Sequence, residues 1–513
     1  MRSLYRRGRL HTSERPDATA LVVDRGTIAW IGDESGAARH ADGVDATVDL
    51  GGALVTPAFV DAHVHATSTG LALRGLDLTG AASLTDALTR VERHARAKRG
   101  GVVLGHGWDE TGWPERRPPT AAELDRASYG GVVYVSRVDV HSAVVSSALL
   151  AAAPEIRAAD GFAGAGLVSR DAHHVARRVA REALSPADRR AAQRATRARA
   201  AAVGIGCFHE LAGPDISSAA DLAALLALAD EPGPDVIGYW GELLAVDTAR
   251  RLGVAGAAGD LFADGAVGSR TAALSRPYAD AETAGARYLT SEQVRDHVVA
   301  CTDAGLQAGF HVIGDAAVRA VVDGFTAAAE RVGAERMVAA RHRLEHVEMV
   351  DAGQVAELAR LGVVASVQPA FDALWGGHEG MYAARLGPQR ALAMNPFASM
   401  AAAGVPLAFG SDSPVTRLEP WAAVRAAAFH HVPEQRMPAP AAFAAHTIGG
   451  WRAARHDDAG VLAPGAAATF AVWAAGPLDD HGLPDLSPDR PLPACQRTVV
   501  RGRQIWAEED GTP

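Results

Sequence analysis

Val55-Thr56-Pro57-Ala58-Phe59-Val60-Asp61-Ala62-His63-Val64-His65-Ala66 is an apolar stretch that rises from a Pro turn and ends in two histidines. Read as a strand, its period-2 geometry turns His63 and His65 to one face, where both imidazoles reach a single ion. Neutral imidazole is the commonest metal ligand, and a pair held on one rigid strand loses little entropy on binding. His-x-His is a short pattern, however, and alone it describes packed histidines as readily as ligands. Its meaning depends on what recurs in the same setting.

Apolar runs ending in polar residues recur at residues 204–210, 236–242, 259–265, 307–315, 341–348, 363–369 and 405–412, so that with the first there are eight. Helical patterns separate them, among them residues 291–305, with Glu292 in the first turn, and 420–431, with Pro420 at the start. Eight β/α units in sequence predict an α/β fold, a (β/α)8 TIM-like barrel whose sites lie at the C-terminal ends of its strands. The chain ends read differently. Residues 20–26 and 27–32 form a hairpin pattern, and residues 468–473 and 497–506 carry matching strands, so one small β-sandwich should draw on both ends. The expected domains are a composite β domain of residues 1–56 plus 460–513, a barrel of 57–72 plus 203–459, and an insertion lobe of 73–202. The lobe holds a strand at 132–139 and a long Ala/Arg-rich helix at 185–202. Because it leaves the end of strand one, it starts at the barrel mouth and is placed to cover it.

The 513 residues carry a formal net charge of −10 without any Lys/Arg-rich block, which argues against a nucleic-acid surface. The basic residues 1–9 lead into polar residues instead of an apolar signal core, and no apolar run approaches the ~18 residues that span a bilayer. Cys207, Cys301 and Cys495 are far apart and odd in number, which fits a reducing cytoplasm. We therefore expect a cytoplasmic protein with a small-molecule substrate, no membrane or nucleic-acid partner, and a homodimer as the assembly to test.

Chemistry collects at the strand ends. His63 and His65 end strand one, His311 and His346 lie near the ends of strands five and six, and Asp412 ends strand eight. Four imidazoles and a carboxylate at one rim supply the ligand set of a catalytic divalent ion, Zn2+ first, with Fe2+ or Mn2+ as alternatives. Asp315 and Glu345, beside two of these ligands, either orient imidazoles or cap and pair elsewhere.

Residues 59–65 (Phe-Val-Asp-Ala-His-Val-His), 262–272 (Phe-Ala-Asp-Gly-Ala-Val-Gly-Ser-Arg-Thr-Ala), 310–315, 344–346 (Leu-Glu-His) and 409–414 (Phe-Gly-Ser-Asp-Ser-Pro) resemble the amidohydrolase superfamily. The branch is amidohydrolase family 3, which includes N-substituted formamide deformylases. The resemblance implies hydrolysis of a C–N bond other than a peptide bond, in a small amide, formamide or cyclic amide, by a metal-activated water. The alternative is an aminohydrolase that removes ammonia from an amidine-like heterocycle with the same ligands. A binding scaffold would leave the complete ligand set without a purpose.

A bound divalent ion lowers the pKa of its water from 15.7 toward ~7 and polarises a carbonyl. Asp412 is then placed to take the water's proton and pass it to the leaving nitrogen, while His346 binds metal or stabilises the developing oxyanion. Arg270 and Asp264, in the Gly-spaced loop after strand four, either hold a polar part of the substrate or form a turn. His141 and Trp108, in the insertion, either line the pocket or pack within their lobe. Two-metal relatives commonly bridge their ions with a lysine at the position of Asp260, and the chain's one lysine, Lys98, lies in a charged helical stretch of the insertion, residues 90–99. One ion is therefore expected over two; were there two, Asp260, Glu210 or the Cys207 thiolate would have to bridge them.

Overall fold

The computed structural model describes residues 1–98 and 101–508. Arg99, which ends the charged stretch 90–99, and residues 509–513 of the expected composite β domain lie outside the described residues. Among those described, no helix is long and apolar enough to cross a membrane.

The barrel strands are β1 (Phe59–Val64), β2 (Ile205–Ala212), β3 (Asp235–Trp240), β4 (Gly256–Ala257), β5 (Gln307–Val312), β6 (Arg343–His346), β7 (Val364–Val367) and β8 (Leu407–Phe409). They pair in parallel in chain order. The ring closes just past β8, where Asp412 N donates to His63 O at 2.8 Å and His65 N donates to Ser413 O at 3.0 Å. Closure therefore sets Asp412 beside both histidines of β1.

Strand four departs from the sequence reading. Its ladder is confined to Gly256–Ala257, and residues 259–265 continue as bends with one isolated bridge, Phe262 to His311. Gly259 has φ +93, a left-handed conformation that ends the extended run and that glycine adopts without Cβ strain. Asp260 thus leaves the strand and enters the barrel mouth.

The expected helix at 291–305 forms as Ser291–Ala304, started by a Thr290/Gln293 capping box and stopped by left-handed Gly305. Val294, Val298 and Cys301 recur at helical spacing and enter the main core with Phe310 and Phe325. At the chain ends a four-stranded and a five-stranded sheet form the β-sandwich. Leu54–Pro57 pairs antiparallel with Phe470–Ala474, so the two ends share one sheet, and Tyr5, Leu21, Ile28, Val55, Phe470 and Val499 fill the space between sheets. Only Ala58 separates that sheet from β1, which ties the sandwich rigidly to the strand bearing His63 and His65.

The insertion begins after α1 (Ala66–Arg74) and carries its own five-stranded sheet, with Val133–Arg137 at the centre. Its helix α2 (Arg170–Glu182) lies over the barrel mouth. The Ala/Arg-rich helix α3 (Pro186–Ala202), capped by Ser185, packs on α1 instead. Thr196 Oγ1 donates to Ala66 O at 2.6 Å and Gln193 Nε2 to Thr67 Oγ1 at 3.1 Å. A Cβ on Gly70 of α1 would overlap the Ala192 carbonyl, so the close approach of the two helices requires glycine there.

Candidate metal centre

Each imidazole at the rim is fixed by a hydrogen bond through one ring nitrogen, which leaves the other for the centre. His63 Nδ1 donates to Glu345 Oε2 (2.9 Å), His65 Nδ1 to Leu211 O (3.0 Å) and His346 Nδ1 to Gln368 Oε1 (2.7 Å). His311 is turned the other way, with Nε2 on Gly265 O at 3.3 Å and Nδ1 inward. Such partners fix tautomer and ring orientation before any ligand arrives. Glu345 is held in turn by Arg343, whose Nε donates to Oε1 at 2.6 Å, and the guanidinium lies 4.5 Å from the Tyr239 ring centroid.

Two carboxylates meet the free nitrogens. Asp412 Oδ1 is 3.3 Å from His63 Nε2 and 3.2 Å from His65 Nε2. Asp260 lies between the histidine pairs: Oδ2 is 3.0 Å from His65 Nε2, and Oδ1 is 3.5, 3.7 and 3.8 Å from His63 Nε2, His311 Nδ1 and His346 Nε2. Three overlapping groups result, namely His63/His346/Asp412, His63/His65/Asp260 and Asp260/His311/His346. His63 Nε2, His311 Nδ1, Asp260 Oδ1 and Asp412 Oδ1 are buried without a hydrogen-bond partner among the described residues. Buried polar atoms left unpaired are costly, and cations among them satisfy all four. The residues fit a divalent metal.

The electrostatics agree. Burial works to lower His65, yet Asp260 and Asp412 outweigh it and raise the imidazole to about 9. Against the same burial, these carboxylates also raise His63 and His346. Both aspartates are held below the ordinary carboxylate range: burial opposes this, and the His63 charge is the foremost cause that overcomes it. The carboxylates thus favour a cationic partner, proton or metal, at His63, His65 and His346, whereas burial and the neighbouring His346 lower His311.

The other expected residues separate. His141 reaches the site, its ring centroid 4.9 Å from that of His311. Glu210 accepts from Ala66 N at 2.7 Å, Cys207 packs against Val60 and Trp451, and neither joins a metal-holding group among the described residues. Asp264 accepts from the backbone N–H groups of Ala273, Ile313 and Gly314, pinning its loop to the end of β5; burial raises it to about 7. Arg270 pairs with Asp280 at 2.6 Å. Trp108 lies in the lobe core and donates from Nε1 to Val135 O at 2.9 Å. Glu345 orients His63, whereas Asp315 accepts from Ser275. Sequence reasoning missed Gln368 and, from α2, His173, His174 and Arg177, which wall the small space over the cluster.

The family model described as "Amidohydrolase family" matches residues 46–506. The chain belongs to the amidohydrolase family, in its family 3 branch. Among its amidohydrolase relatives, N-substituted formamide deformylase of Arthrobacter pascens is 26% identical over 90% of this chain and 91% of its own length. Protein LONG AFTER FAR-RED 3 of Arabidopsis thaliana is 27% identical over 98% and 91%. An uncharacterized metal-dependent hydrolase from Pyrococcus furiosus superposes with a TM-score of 0.71 at 26% identity, covering 92% of this chain and 98% of that one. The amidohydrolase fold and the divalent-metal character of the centre thus accord with the geometry.

Proposed function

We propose that this amidohydrolase hydrolyses a non-peptide C–N bond in a small amide, formamide or cyclic amide, with two divalent ions, zinc foremost, held by His63, His65, His311, His346, Asp260 and Asp412. The observation that carries the reading is the position of Asp260 between two histidine pairs, with Asp412 beside one of them. By the family resemblance Asp260 stands at the position of a metal-holding lysine in two-metal relatives, and its two carboxylate oxygens would hold divalent ions there. In the count of ions this proposal departs from the single ion expected from sequence. The likeness to N-substituted formamide deformylase supports an amide as the substrate.

A bound divalent ion acidifies a water and polarises the scissile carbonyl. The chain's own residues do the rest. Asp412 accepts the proton of the attacking water on its carboxylate and delivers it to the leaving nitrogen. Glu345, Leu211 and Gln368 hold the imidazoles in one tautomer, and the lobe keeps bulk water off the cluster, since the space above it, about 10 Å3, admits roughly one water. The lobe must shift for substrate to enter.

Incubating metal-loaded protein with a panel of formamides, N-acyl amines, cyclic amides and aminopurines tests the proposal. Release of amine and carboxylate, or ring opening, is expected. Ammonia from the purines alone would make the protein an aminohydrolase, and no turnover anywhere would overturn hydrolysis.

A further inference from the structure

The lobe's wall differs from the rim in charge. Arg177 of α2 is 5% exposed and lines three cavities at once. One is the space over Asp260, His311 and Asp412; the second, about 60 Å3, is shared with His65 and Arg181; the third, about 360 Å3, is more open and also borders Arg178, Arg181 and Arg189. Ile216 lines all three, so Ile216 and Arg177 stand between the outer vestibule and the space over the metal centre.

Two of the four arginines in this vestibule are neutralised: Arg178 lies 4.0 Å from Glu182 and Arg189 3.2 Å from Asp221. Arg177 and Arg181 have no carboxylate within ion-pair distance among the described residues. Arg177 Nη2 donates to the Asp215 carbonyl and to His174 Nδ1, and Arg181 Nη2 donates to Ser68 Oγ at 2.7 Å. Arg177 Nε and Arg181 Nη1 are buried atoms without a partner. A guanidinium removed from water is costly unless an anion pairs with it, and its planar fork matches an oxyanion bidentately. The two side chains stand at i and i+4 on α2, hence on one face.

We propose that Arg177 and Arg181 bind a carboxylate of the substrate, so that the amide presented to the centre is an anionic one of the N-acyl amino acid class. The substrate class rests on the amide hydrolysis proposed above; the anion site does not. Arg177 also lines the space over Asp260 and Asp412, so a carboxylate held there would keep the rest of the substrate beside the centre, and charge complementarity would steer such substrates inward although the protein as a whole is negative.

Calorimetric titration of the purified protein with succinate, which has no bond to hydrolyse, tests the site. Binding is expected in the wild type, weakened at least about tenfold in Arg177→Gln and in Arg181→Gln and partly restored in Arg177→Lys, a loss on the scale of one charge-assisted contact. Arg181 is partly exposed, so its variant serves should Arg177→Gln fail to fold. In parallel, the ratio of kcat/KM on N-formylglycine to that on N-formylglycinamide should fall in both variants. Absence of succinate binding, or binding unmoved by either substitution, overturns the inference. Arginine-dependent succinate binding without amide turnover would overturn the proposed hydrolysis and leave the anion site standing.

Discussion

The barrel rim and the lobe wall face each other across one small space, and they are built oppositely. At the rim, two carboxylates converge on four imidazoles whose outer nitrogens are already hydrogen-bonded. On the wall, α2 presents Arg177 and Arg181, with buried guanidinium nitrogens that have no partner among the described residues. A surplus of acceptors beside histidines calls for cations, and a surplus of guanidinium calls for an anion. The proposed chemistry therefore falls to the strands closed into a ring, and the proposed selection to a helix of the insertion.

The largest effect should come from the rim. Asp412→Asn removes the proton acceptor while keeping its shape, and kcat should fall by roughly 10²–10⁴-fold with the circular dichroism spectrum unchanged. A variant within a few-fold of wild type would take proton transfer away from Asp412.

The support beneath the rim comes next. Glu345→Gln leaves Arg343 buried without its counter-charge, a loss of about 3–5 kcal/mol by the measure of broken buried pairs. Burial raises the Glu345 carboxyl, but Arg343 and His63 outweigh it and bring it from 4.5 to about 2. A depressed carboxyl contributes stability that is complete above its unfolded value and lost as pH falls through its folded one. Wild-type stability should thus decline between about pH 4.5 and 2 by an amount absent from Glu345→Gln, as read by denaturant midpoints at each pH.

How much of this was legible in the sequence follows from the same contrast. His63, His65, His311, His346 and Asp412 lie at or just past strand ends, where barrel closure brings them together, and all five meet, although His346 and Asp412 stand in left-handed backbone (φ +71 and +54). Asp260 was harder, because its position depends on left-handed Gly259 ending the strand early, a backbone choice that the apolar pattern does not encode. On α2, Arg170, His174, Arg177 and Arg181 recur at helical spacing, which in isolation is the signature of a solvated face; only docking of the lobe turns that face inward. For the loops bearing Arg270 and His141 the sequence leaves open a role at the site or a local turn and packing. They dock on each other through Ser269 Oγ donating to Asp139 at 2.8 Å, with His141 at the site and Arg270 turned to that latch through Asp280 and Arg385.

The smallest effect belongs to that latch. Arg270 is about one-third exposed, and its pair with Asp280 is screened by solvent. Arg270→Ala should cost no more than about 1 kcal/mol and leave kcat/KM within about twofold, as thermal melts and steady-state kinetics would show. A drop of an order of magnitude in kcat/KM would return Arg270 to the substrate.

The metal content of protein purified without chelator, compared with that of Asp260→Ala, tests the centre most directly. The arrangement of Asp260 between His63/His65 and His311/His346 predicts two equivalents of divalent metal in the wild type and a fall to one or fewer in the variant. One equivalent in both proteins would contradict it, leaving Asp260 a bystander and the centre mononuclear.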